Sequence, residues 1–149
     1  GREPRVLTSL YLGAENLEAL NVRLQAKLKE IREHEVRYVE YDMEDADIAL
    51  VAYGTAGRVC LSVVREARKQ GLRVGLLRPQ TLWPFPEEEV LEACAGGRRV
   101  LVPELNLGQY AHEIEWALED RKRVTHLNRV DGQPIPPDRI LAKIKEVLA

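Results

Sequence analysis

The stretch IALVAYGTAGRVCLSVVREARKQGLRVGLL, residues 48–77, decides the fold of this chain. It opens on an uninterrupted apolar run, Ile48 to Tyr53, which is typical of a parallel strand covered on both faces. The turn Gly54-Thr55-Ala56-Gly57 leads into a helical pattern from about Arg58 to Gln70, which Gly71 ends as a C-cap. A second apolar run, Val74 to Leu77, follows. A strand, a helix and a strand in this order predict a crossover between two parallel strands.

The same alternation continues to the end of the chain. Further apolar runs predict strands at Val100–Val102 and Val124–Leu127, and a weak alternation from Glu35 to Met43 predicts an extended segment. Helical patterns follow Pro86 and Gly108, and a last one begins after Asp138, which we expect to cap it. The fold class predicted is α/β, a three-layer α/β/α sandwich with a mostly parallel sheet.

We divide the chain into two parts. Residues 1–47 are predicted to be a lead-in connector with one helix, which starts at the N-cap Asn16 and carries leucines at spacings of three and four. Residues 48–149 are predicted to be the α/β domain. The length of 149 residues is enough to bury a core.

Composition excludes several classes of function. The formal charge of −2 and the scattered basic residues favour neither nucleic acid nor an anionic membrane surface. No apolar run approaches the roughly 18 residues of a membrane span, so we expect a cytoplasmic protein. The start, Gly1 to Pro4, lacks both an initiator Met and the apolar core of a signal peptide, and we expect a piece of a longer protein. Cys60 and Cys94 are expected to be free, buried thiols, and no Cys-x-x-Cys pair indicates a zinc or iron–sulfur site.

Three unusual loops follow predicted strands: Gly54 to Gly57, Arg78 to Pro86 and Pro103 to Gly108. The carboxyl ends of parallel strands share one edge of a sheet, which we call the rim, and ligands and interfaces gather there. The glycine loop is read either as a tight turn or as an anion cradle at a helix start. Trp83 and Phe85, stiffened by prolines, either cover their own sheet edge, dock against another domain or contact a ligand.

The loop after Pro103 also allows two readings. Asn106 can cap the following helix through its side chain and Gly108 can supply a positive φ, a purely structural role. Alternatively, Gln109 and its neighbours make polar contacts across an interface.

The three histidines do not assemble into a catalytic or metal-binding set. His34 is expected at a solvated helix end, and His126 is expected to be structural. His112 is followed directly by Glu113, and adjacent helical residues point to different faces. We therefore predict no catalytic, cofactor-binding or metal-binding residue on this chain.

Three segments in order, Val51–Thr55, Gly71–Pro86 and Val102–Gln109, carry a family resemblance. Together with the lead-in, residues 11–120 resemble the transketolase C-terminal-like domain of the α subunit of 2-oxoacid:ferredoxin oxidoreductases. The sequence has Glu104-Leu105-Asn106 where the family usually has Glu-Met-Asn, and it departs from the family pattern after Val124. The Arg78-Pro79 pair is most similar to the 2-oxoisovalerate and 2-oxoglutarate types.

The resemblance implies a role in oxidative decarboxylation of a 2-oxoacid to acyl-CoA with reduction of ferredoxin. The implied complex holds thiamine diphosphate, magnesium and iron–sulfur clusters, none of them on this chain, which is expected to be an inactive scaffold when isolated. Its implied partners are the other domains of the α subunit, a thiamine-binding β subunit and a ferredoxin-like subunit. The predicted interface residues are Arg78, Thr81, Trp83, Phe85, Glu104, Asn106 and Gln109.

Two alternatives stay open beside this interpretation. One is a free-standing α/β module that binds an anion or nucleotide at Gly54 to Gly57. The other is the C-terminal domain of a different thiamine enzyme, such as a transketolase.

Overall fold

Five strands and five α-helices follow one another in the described part of the computed structural model, residues 1–4, 6 and 10–149. The strands are β1 (Tyr38–Tyr41), β2 (Ile48–Val51), β3 (Val74–Pro79), β4 (Arg99–Glu104) and β5 (Val124–Asn128). The helices are α1 (Ala14–Glu35), α2 (Gly54–Lys69), α3 (Glu87–Ala93), α4 (Gln109–Leu118) and α5 (Pro137–Leu148).

The chain forms two compact units, Gly1–Glu35 and Val36–Ala149. The first contains α1, none of whose residues, all described, is buried. This helix begins at Ala14, two residues before the expected cap Asn16, because the Gly13 carbonyl already accepts the Leu17 amide at 3.0 Å. No helix in the described residues has the length and apolar character needed to cross a bilayer.

The second unit is built on one sheet with the strand order β1-β3-β2-β4-β5. β2 pairs in parallel with β3 and β4, and β4 pairs in parallel with β5, whereas β1 runs antiparallel to β3. The predicted mostly parallel α/β sheet is confirmed. The extended segment predicted between Glu35 and Met43 is β1, and it lies in the sheet although we had assigned it to the lead-in. The domain boundary predicted between residues 47 and 48 stays a prediction.

Two apolar cores cover the two faces of the sheet. Ile48 and Leu50 of β2 pack with α2 and α5, whereas Ala49 and Val51 of the same strand pack with α3 and α4. All four β2 residues are fully buried. This burial on both faces explains why the strand is apolar without alternation.

Several element boundaries differ from the predictions. α2 begins at Gly54 instead of Arg58, because the Tyr53 carbonyl accepts the Gly57 amide at 2.9 Å and the predicted turn becomes the first helical turn. α5 is not capped by Asp138, since Pro136 occupies the N-cap and Pro137, which needs no amide donor, is the first helical residue.

The two proline-containing loops begin later than predicted. Pro79 ends β3, and Pro103 lies inside β4. The pairing of β4 with β2 stops at Leu101, so Pro103 needs no amide hydrogen on that side.

Candidate functional site

The strand order creates a crevice at the rim between β2 and β4. The chain moves from β2 to β3 on one side and then to β4 on the other, and such a reversal opens a crevice at the carboxyl ends of the two strands. A small cleft of about 120 Å³ lies there, between the start of α2 at Tyr53 to Ala56 and the end of β4 at Pro103 to Asn106. The rim predicted from the loops is therefore present.

Glu104, the last residue of β4, is buried with 1% of its surface exposed. Its Oε2 accepts the Tyr110 amide at 2.9 Å, and its Oε1 accepts the Ala111 amide at 3.0 Å. Both amides belong to the first turn of α4, where the helix itself provides no acceptors. Glu104 thus acts as an internal anion that joins the end of β4 to the start of α4.

Asn106 completes the same junction. Its Oδ1 accepts the Gly108 amide at 2.7 Å and the Gln109 amide at 2.9 Å, which confirms the predicted capping role. Its Nδ2 donates to Tyr53 Oη at 3.0 Å and to Glu104 Oε2 at 2.9 Å. Gly108 has the predicted positive φ, at 101°.

This network leaves the start of α4 a poor site for an external anion. All four backbone amides from residue 108 to residue 111 already have acceptors. The first two donate to Asn106 Oδ1, and the last two donate to the Glu104 carboxylate. A carboxylate also occupies the position where a phosphate would bind, and like charges repel. A diphosphate does not fit these residues.

Gly57 in the first turn of α2 has a packing role. A Cβ at this position would lie 2.8 Å from the carbonyl oxygen of Ala52, closer than real Cβ contacts allow. It would also lie 3.3 Å from Cγ of Arg78. The glycine therefore lets α2 approach the end of β2.

The aromatic residues of the rim divide into a packed pair and an exposed ring. Phe85 is half-buried and its ring centroid lies 5.4 Å from that of Tyr110, which in turn lies 5.2 Å from that of Tyr53. Trp83, in contrast, is 58% exposed. Phe85 thus packs against its own domain, whereas the Trp83 ring is exposed to solvent.

Trp83 belongs to a group of exposed apolar side chains in the loops after β3 and β4. The group consists of Leu82, Trp83, Leu105 and Leu107. Leu107 is 79% exposed although it sits in a tightly bonded loop. We call these four residues the apolar rim.

The remaining predicted interface residues also lie along this edge. Arg78 is half-buried beside Gly57, and Gln109 is exposed at the start of α4. Thr81 Oγ1 accepts the Arg37 amide at 3.0 Å, tying the loop after β3 to the start of β1. All seven residues belong to the segments at the carboxyl ends of β3 and β4, but Glu104 and Asn106 direct their polar atoms inward. Contact with a partner stays a prediction.

One polar group was missed by the sequence analysis. His112 Nδ1 lies 2.9 Å from Glu115 Oε2, and His126 Nε2 of β5 lies 2.7 Å from Glu115 Oε1. We compared His112 only with Glu113, whereas the i,i+3 neighbour Glu115 shares its helix face. Hydrogen bonds with the two imidazoles lower the pKa of the Glu115 carboxyl, and the bond with His112 contributes more than the bond with His126.

The cysteines are free and buried, as predicted. Cys60 lies in the core between the sheet and α2, and Cys94 lies in the core on the opposite face. Burial raises the pKa of the Cys60 thiol to about 12 and that of the Cys94 thiol to about 11. Two thiols on opposite faces of a sheet cannot ligate one iron–sulfur cluster, so the chain's cysteines do not fit such a group.

A family model described as pyruvate:ferredoxin oxidoreductase core domain II matches residues 46–140. The ketoisovalerate oxidoreductase subunit VorB of Methanothermobacter marburgensis is 44% identical over 142 residues, which are 95% of this chain and 40% of that subunit. The 2-oxoglutarate synthase subunit KorA of the same organism is 37% identical over 130 residues, 87% of this chain and 35% of that subunit. The chain thus spans about two fifths of the length of these relatives.

A solved structure has the same fold. It is a 2-oxoglutarate:ferredoxin oxidoreductase from Magnetococcus marinus with 2-oxoglutarate, coenzyme A and succinyl-CoA bound. It aligns with a TM-score of 0.83 over 93% of this chain and 24% of the other, at 23% identity. At this low sequence identity the match shows a shared fold and nothing further.

Proposed function

Because this chain belongs to the pyruvate:ferredoxin oxidoreductase core domain II family, we propose that it is an assembly domain of a 2-oxoacid:ferredoxin oxidoreductase. The whole enzyme would oxidatively decarboxylate a 2-oxoacid to acyl-CoA and reduce ferredoxin. A branched-chain substrate, 2-oxoisovalerate, is favoured over 2-oxoglutarate, because the identity to VorB exceeds that to KorA.

The observation that carries the proposal is the contrast between the inside and the outside of the rim. Inside, Glu104 and Asn106 use their polar atoms to fix the loops. Outside, the apolar rim presents four large hydrophobic side chains to solvent. Loops that are already held in place before binding lose little conformational entropy when a partner binds. Such a surface therefore suits docking and not catalysis. Its occupant in our proposal is the part of the α subunit that corresponds to the region of VorB outside the match to this chain.

The cofactors of the complex are assigned to other parts of it. The amides at the start of α4 already have acceptors and offer no place for the diphosphate of thiamine diphosphate, and the buried thiols do not fit an iron–sulfur cluster. The proposed partners are the other α-subunit domains, a thiamine-binding β subunit and a ferredoxin-like subunit. We place the complex in the cytoplasm.

Capture of the active complex tests the proposal. The tagged chain is coexpressed with the rest of the α subunit and with the other subunits, and the purified material is assayed for dye reduction with a panel of 2-oxoacids, with and without coenzyme A. We expect reduction that depends on thiamine diphosphate and coenzyme A, fastest with 2-oxoisovalerate. Captured material without such activity would favour the anion-binding module instead.

Two tryptophan variants locate the docking surface. Trp83→Ser removes the largest side chain of the apolar rim. Trp116→Ser changes a second exposed tryptophan, which lies seven positions into α4, roughly 10 Å along the helix from its start. We expect the first variant to fold, by circular dichroism, but to capture far less activity, and the second to capture as much as the wild type. Equal capture by both variants would place the interface away from the rim.

A further inference from the structure

We propose that His112, Glu115 and His126 form a binding site for one divalent transition-metal ion, of which Zn²⁺ is the representative. The site lies between α4 and the edge strand β5, and it goes beyond the docking role proposed above. Two imidazoles and one carboxylate converge there from two elements of secondary structure.

The ligand atoms are already close together. One atom from each of the three side chains lies within 4.8 Å of the others. Glu115 sits between the two imidazoles, at 2.9 Å from His112 Nδ1 and 2.7 Å from His126 Nε2. Ligands around a tetrahedral Zn²⁺ at about 2.0–2.1 Å stand roughly 3.3 Å apart. Binding therefore needs side-chain shifts of about 1–2 Å, within the reach of small χ rotations.

The backbone around the site is arranged so that His126 can take part. Gly108 packs against the His126 ring, and a Cβ at position 108 would lie 2.9 Å from His126 Nδ1. The glycine thus lets the ring lie directly beside the start of α4, with Nε2 directed at Glu115. Glu115 is only 12% exposed, so its carboxylate has a defined position.

The ligand set selects the class of metal. Imidazole nitrogen suits Zn²⁺, Ni²⁺ and Cu²⁺, whereas Mg²⁺ and Ca²⁺ prefer oxygen ligands. The His112 side chain is 65% exposed, so an ion can enter from solvent on that side. Three protein ligands leave a fourth position for water or for a group from a partner.

Calorimetric titration of the chelator-treated, tag-free chain tests the site. We expect one Zn²⁺ per chain and no binding of Mg²⁺. His112→Gln, which changes an exposed side chain and should not unfold the domain, is expected to weaken Zn²⁺ binding by about 100-fold or more, since even outer-shell changes weaken metal binding 10- to 100-fold. The matched control is His34→Gln, which changes an exposed histidine of the unit Gly1–Glu35. This variant should bind Zn²⁺ as tightly as the wild type does.

The proposal is overturned by any of three results. The first is a wild-type chain that takes up no Zn²⁺. The second is uptake of Mg²⁺ as tight as that of Zn²⁺. The third is a His112→Gln variant that binds as tightly as His34→Gln. Co²⁺ substitution gives a further readout, because the visible absorption of bound Co²⁺ should be lost in Glu115→Gln, a variant that keeps the size of the side chain.

Discussion

Replacing Glu104 by Gln should destabilise the α/β unit without leaving a cavity. An amide oxygen placed at the Oε2 position keeps the hydrogen bonds from the Tyr110 amide and from Asn106. The new NH₂ group then faces the Ala111 amide, so two donors meet in a buried site. An unsatisfied buried donor costs about 1–3 kcal/mol. Loss of the negative charge at the start of α4 adds up to about 1 kcal/mol, for about 1–4 kcal/mol together.

Urea unfolding followed by far-ultraviolet circular dichroism measures this loss. With a typical urea dependence of about 2 kcal/mol per M, a loss of about 1–4 kcal/mol lowers the midpoint by about 0.5–2 M. Glu113→Gln is the matched control, because Glu113 is an exposed residue of the same helix and should change stability by less than about 0.5 kcal/mol. If Glu104→Gln unfolds at the same urea concentration as Glu113→Gln, the carboxylate does not hold the junction and the reasoning is wrong.

Three further predictions concern packing, acid stability and thiol reactivity. Gly57→Ala should lower the melting temperature, because overpacking against backbone costs about 1–3 kcal/mol and outweighs the gain in helix propensity; a higher melting temperature would contradict the close approach. Hydrogen bonds from Arg129 hold the pKa of Asp131 down at about 2. Asp131 therefore stabilises the fold above about pH 4 and loses this effect as the pH falls through about 2, so Asp131→Asn should unfold more easily than the wild type at neutral pH and equally easily only below about pH 2. Cys60 and Cys94 should react with a thiol reagent at neutral pH only after urea unfolds the chain, and prompt labelling of the native protein would refute their burial.

The elements of the fold were predictable because their signals are local. An apolar run such as Ile48 to Val51 indicates a strand that is buried on both faces. Asn106, two residues before Gly108, indicates the start of a helix. The boundaries were less predictable. Whether Pro103 ends a strand or lies within it depends on where the neighbouring strand stops, which is a property of the assembled sheet.

The candidate site was predictable in position but not in the direction of its side chains. Loops that follow parallel strands must meet at one edge, so the rim could be located from the sequence. Nothing local indicates that Glu104 turns inward to the amides of α4 while Leu107, three residues later, faces solvent. The partnership of His112 with His126 joins a helix to a strand, and only the spacing from His112 to Glu115 was visible in the sequence.

The strand order has a consequence for how the chain is made. β2 lies in the middle of the sheet, and its second neighbour, β4, is synthesised about 50 residues after it. Until then a growing chain exposes the open edge of a fully apolar strand, and such edges pair with other chains. Nascent chains halted before Arg99 should therefore be the aggregating species during synthesis, and chaperones that act at the ribosome should bind them most strongly at that length.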